Sequence, residues 1–90
     1  MNNSYEYKQC GYGDESKAFT METKCRIFEL INDTDSDGTI SFKTNTMKDF
    51  SLEQKAGEVN KLPLDPFTSV QVRITGASAN YKWQAYGLTN

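Results

Sequence analysis

Three aspartates at alternate positions, Asp33, Asp35 and Asp37, form the densest chemistry in this 90-residue chain, with Gly38 following at once. Carboxylates at that spacing, turned by a glycine, can wrap their oxygens around one hard cation. A calcium loop of the EF-hand kind begins this way, with side-chain ligands at its first, third and fifth positions and glycine at the sixth. Thr39 would then offer its backbone carbonyl, and Ser41 would stand at the ninth position. The closing position is Thr44, where such loops carry a bidentate Glu. The expected Ca²⁺ site is therefore weak, roughly 10⁻⁴–10⁻³ M. The same residues also suit a plain β-turn, because Asp bonds its own backbone and Gly tolerates positive φ. Residues 26–31 would then run into the turn and 39–46 leave it as a strand, with Ile40 and Phe42 on one face. Both readings stay open at this level.

Other chemistry is sparse. The chain has no His, so it lacks an imidazole base, a Ser-His or Cys-His pair and a His metal ligand. Two cysteines cannot supply a structural zinc set. Gly11-Tyr12-Gly13 has no third glycine and no following Lys-Ser or Lys-Thr, so it is no phosphate loop. Carboxylate pairs such as Asp14-Glu15 stand among polar neighbours and read as solvated surface. A non-enzymatic protein is expected.

A single domain must position these residues, since a chain of this length buries only about 60–65% of its unfolded surface. Hydrophobic content is 37%, charged content 24% and net charge −2, a globular balance with no broad pull toward nucleic acid. No apolar run approaches the roughly 18 residues of a membrane span, and the first twenty residues lack the pattern of a signal peptide. Cys10 and Cys25 form an even pair. A disulfide between them would close a loop of about 15 residues and stabilise by roughly 3 kcal/mol. Two thiols in a reducing cell are the alternative, and the oxidising exterior is favoured.

Along the chain, Tyr5 and Tyr7 alternate with Glu6 and Lys8 in a short strand that ends near Cys10. Residues 18–31 are ambiguous, with the second half leaning to strand. The helix candidate is 48–62: Ser51 caps, Gln54 completes a capping box, and Ala56, Val59 and Leu62 follow one face. Gly57 inside it costs about 1 kcal/mol. LPLDPF then reads as a stiff connector. Val70, Val72 and Ile74 alternate with polar residues, and Tyr81, Trp83 and Ala85 do so on the way back, which suggests a C-terminal β-hairpin. The expected architecture is α+β: a small, mostly antiparallel sheet, one short helix and that hairpin.

The segment PFTSVQVRITGASANYKWQAYGL, residues 66–88, resembles the C-terminal hairpin of small-headed type IV pilins of the Geobacter-like kind. The resemblance implies an extracellular filament subunit, a setting that suits a disulfide and a weak calcium loop. A complete pilin begins with a long apolar helix, absent here, so the resemblance points to the separate globular chain of a split pilin. Its partner would be a helical pilin subunit, docked on Ile27, Leu30, Ile31 and Phe50. The alternative is a free-standing small acidic binding protein that blocks a host protein.

Overall fold

The computed structural model describes residues 5–88, which form five strands: β1 (Tyr5–Gly13), β2 (Lys17–Asn32), β3 (Thr39–Thr44), β4 (Val59–Thr75) and β5 (Tyr81–Leu88). All pairings are antiparallel, in the order β1-β5-β2-β4-β3, and the sheet coils until it is nearly closed into a barrel. The expected α+β architecture is thereby corrected to all-β, for no helix occurs among the described residues.

The expected helix over 48–62 is an irregular segment that returns along β3 before β4 begins at Val59. Ser51 does not cap a helix. Its Oγ accepts the Phe42 N–H at 3.1 Å, and its own N–H donates to the Phe42 carbonyl at 2.8 Å. Gln54 exchanges backbone hydrogen bonds with Ile40 at 2.7 and 3.1 Å, so this segment covers the outer edge of β3. Its buried side-chain amide donates to the carbonyls of Leu30 and Glu58, both at 2.9 Å. Gly57 has φ +84°, a left-handed conformation that no helix interior accommodates. Tertiary hydrogen bonds have outweighed a helical propensity that Gly57 had already weakened.

LPLDPF is likewise strand rather than connector, and Phe67 lies in the core. β3 pairs with β4 only from Val70 to Thr75. Pro63 and Pro66 therefore fall on the stretch that β3 leaves uncovered, where a missing N–H breaks no ladder on that side. The C-terminal hairpin is also corrected: β4 and β5 are consecutive but unpaired, because β2 runs between them. β4 separates β2 from β3 in the same way. The aspartate segment thus turns the chain without making a hairpin.

β2 has sixteen residues and pairs with β4 along much of its length, with register shifts between Thr20 and Ile27. Only its second half, from Cys25 onward, pairs with β5. Such irregularities bend and twist a strand, and this one folds the β1–β5 end of the sheet over the β3–β4 end. Phe28 meets Phe42 of β3 across the interior at 4.8 Å between ring centroids, and Trp83 packs on Phe19 at 4.9 Å and Phe28 at 5.9 Å. Leu30, Ile40, Phe67, Val70, Val72, Tyr81 and Ala85 complete the core, each large apolar side chain contributing about 1.5–3 kcal/mol. On β1, Gln9 sits at a bulge and reaches β2, its Oε1 accepting the Glu22 N–H at 2.8 Å. This side-chain bridge helps close the seam of the barrel.

The two connections at one barrel end dock on each other. Asp33 N–H donates to the Asn80 carbonyl at 2.8 Å, and Asp37 and Gly38 N–H both donate to the Ser78 carbonyl at 3.1 and 2.8 Å. An added Cβ at Gly38 would lie 1.9 Å from the Ala77 carbonyl oxygen. Gly38→Ala should therefore cost about 2 kcal/mol or more. Leu52→Ala, at a residue 89% exposed, should stay within about 0.5 kcal/mol. Midpoints of urea unfolding, measured by Trp83 fluorescence, check both.

Candidate functional site

The five expected calcium ligands divide between two environments. Asp33, Asp35 and Asp37 lie in the exposed connection after β2, with Asp33 half-buried, whereas Thr39 and Ser41 are in β3. The Thr39 hydroxyl donates to Glu53 at 2.9 Å, and the Ser41 side chain is fully buried. Thr39 and Ser41 pair with Thr75 and Arg73 of β4, so a strand ladder occupies the latter part of the expected loop. Gly38 is not among the glycines with positive φ, which are Gly57 and Gly76. The Ala77 backbone approaches it closely. Among the described residues, no group of three or more His, Cys, Asp or Glu side chains is gathered for a metal ion.

No disulfide joins Cys10 and Cys25, and the bond expected between them is not formed. Cys10 on β1 stands opposite Gln84 of β5, and Cys25 on β2 opposite Gly87. β5 therefore lies between the two cysteines. Two strand spacings and three residues along β5 separate them by about 14 Å, far beyond the roughly 7 Å limit for a disulfide. Odd spacing along β5 also turns them to opposite faces, with Cys25 buried and Cys10 exposed.

The four residues expected to meet a partner are dispersed. Leu30 is 0% exposed and belongs to the core, which corrects its assignment to an interface. Phe50 lies in the segment beside β3, half-buried under the Arg73 guanidinium at 4.1 Å from its ring centroid. Ile27 and Ile31 alone share a face. They are half-buried on the side of β2 opposite Phe28 and Leu30, at the sheet surface away from the core.

Cross-strand register extends that surface beyond what the sequence had suggested. Ile31 stands beside Lys82 of β5 and Val59 of β4, and Lys82 beside Tyr12 of β1. Tyr12 is 86% and Val59 55% exposed. In the next rows, Glu29 accepts from Gln84 Nε2, and Ile27 stands beside Tyr86, over whose ring Lys61 lies at 5.7 Å. The alternation of Tyr81–Leu88 marks Lys82, Gln84 and Tyr86 as outward. No sequence signal places Tyr12 and Val59 in their row.

Two clefts adjoin this surface and share Tyr12 and Lys82. One, of about 340 Å³, is walled by Cys10, Ile31 and Gln84. The other, of about 450 Å³, runs over the barrel end past Asp14, Glu15, Asp33 and Tyr81. The Tyr81 hydroxyl donates to the Glu15 carbonyl at 2.7 Å. Its pKa is raised, first by burial and then by the charges of Asp14 and Glu15. Elsewhere, Glu53 has a lowered pKa, chiefly through hydrogen bonds from the Thr75 and Thr39 side chains, with a smaller contribution from Arg73.

Native alkylation should modify Cys10 quickly and leave Cys25 protected until denaturant is added, as peptide mass mapping would show. Glu53 holds its proton less tightly in the fold than in the unfolded chain. Its contribution to stability is therefore present at neutral pH and lost as pH falls through its lowered pKa. Thr75→Val should move the Glu53 titration, followed by carboxyl NMR, back toward the ordinary glutamate value.

No family model matches this chain, and no curated protein matches it in sequence. No helix among the described residues is long and apolar enough to cross a membrane.

Proposed function

We propose that the chain is a small non-enzymatic protein-binding module that docks through the outer face of β1, β5, β2 and the start of β4. The observation that carries this is the row Tyr12, Lys82, Ile31 and Val59, joined by Ile27 and Tyr86. It brings Tyr12, Ile31 and Val59 into one row on a surface turned away from the core, with Lys82 between Tyr12 and Ile31. Isolated exposed apolar residues are ordinary, but several of them gathered on one sheet face are a common mark of an interaction site. Tyrosine is favoured at such sites because it brings a large contact area with few rotatable bonds.

We take the free-standing binding protein as the form of this reading; the strands over 66–88 flank β2 rather than pair with each other. The absence of histidine from the whole chain agrees with a role in binding rather than catalysis.

Affinity capture from the native host, with the chain as bait, tests the proposal. The parent should retain one protein saturably, and Tyr12→Glu with Val59→Glu should release it at least tenfold, with unchanged thermal melting. Leu52→Glu, exposed but beside β3, should retain it. Undiminished capture by the double variant, or no saturable partner for the parent, overturns the assignment.

A further inference from the structure

We propose that the partner enters this face with a basic segment, an Arg or Lys beside an apolar residue, received in the clefts on either side of the Tyr12–Lys82 pair. This inference rests on the docking reading and specifies the chemistry of the occupant. The two clefts share Tyr12 and Lys82 and have unlike walls. On the sheet side, Ile31 and the exposed ring of Tyr12 offer apolar contact. At the barrel end, Asp14, Glu15 and Asp33 line the wall, and Asp35 and Asp37 stand exposed in the adjoining connection.

The charge at that end is unbalanced. Three carboxylates, Asp14, Glu15 and Asp33, and two ammonium groups, Lys17 and Lys82, line the cleft, and Lys17 lies over the Phe19 ring at 5.6 Å from its centroid. Tyr81 on the cleft wall registers the resulting field, since the charges of Asp14 and Glu15 add to the effect of burial in holding its proton. A cation placed there meets negative charge, while its apolar neighbour covers Ile31 and Tyr12. An acidic peptide or a nucleic acid backbone would bring like charge to the same wall. Two clefts on either side of one residue pair, one on the sheet face and one at the barrel end, suit a polypeptide segment better than a compact ion.

Amide NMR of the full chain, titrated with a blocked peptide of alternating Arg and Leu, tests the inference. A peptide of alternating Glu and Leu and a single-stranded thymidine oligonucleotide serve as comparisons. The basic peptide should shift the Tyr12, Ile31, Asp33 and Lys82 amides saturably, and added salt should weaken it. Asp14→Asn with Asp33→Asn should weaken it by up to about twenty-fivefold, or roughly fivefold or less for each charge. Equal binding of the acidic peptide, preferred binding of the oligonucleotide, shifts confined to other surfaces, or no saturable shift at millimolar peptide each overturns the inference. The two proposals fail separately. A captured partner released by Tyr12→Glu with Val59→Glu, but indifferent to Asp14→Asn with Asp33→Asn, leaves the docking reading standing and removes the basic segment. A partner retained by the first double variant removes both.

Discussion

The shape of this protein depends on one strand having to satisfy two neighbours of unequal length. β2 pairs with β4 along much of its sixteen residues but with β5 only over its second half. A flat ribbon could not bury aromatics on both halves at once. The register shifts between Thr20 and Ile27 let the strand bend, so that β5 and β3 face each other across Phe28, Phe42 and Trp83. From that bend follow the core on one side of the sheet and a continuous outer surface on the other.

Buried amides hold the irregular parts to this frame. Asn32, fully buried, donates through Nδ2 to the carbonyls of Gly38 and Gln54 at 3.2 and 3.1 Å. Its backbone accepts from Gly57 at 2.7 Å and donates to Glu58 at 3.0 Å. Together with Gln54 it ties the end of β2, the start of β3 and the segment before β4 to one another. Such buried polar groups are costly when unpaired and directional when paired. They specify where otherwise featureless connections must lie. This places the aspartate connection beside Asn80 and Ser78, and with it the acidic wall of the cleft.

The outer surface is a by-product of the same arrangement. Strand alternation sends Tyr81, Trp83 and Ala85 inward and leaves Lys82, Gln84 and Tyr86 outward. Flanking β5 with β1 and β2 then aligns Tyr12 and Ile31 with Lys82. Gly11 contributes by its lack of a side chain, for an added Cβ would lie 2.9 Å from Trp83 Nε1. The indole can thus fill the core beneath β1, and the polar and aromatic residues of the next row remain available above it.

Much of the strand character was legible in the residues themselves. Period-two alternation over 70–75 and 81–86 identified both strands and their inward faces, and the turn-forming character of 33–38 was also plain. Those features are local, set by side-chain direction and by backbone preference within a few residues. Which strands pair was a tertiary decision. β2 inserts between β4 and β5, and β4 between β2 and β3, replacing two hairpins that chain proximity favoured. The helix expected at 48–62 yielded to hydrogen bonds from Ser51 and Gln54 to β3, whose partners lie nine to fourteen residues away. The separation of Cys10 from Cys25, the burial of Leu30 and the row that joins Tyr12 to Val59 have the same origin. Each depends on the order of strands in the sheet, and that order is settled by the total burial and pairing of distant segments, which no local pattern records.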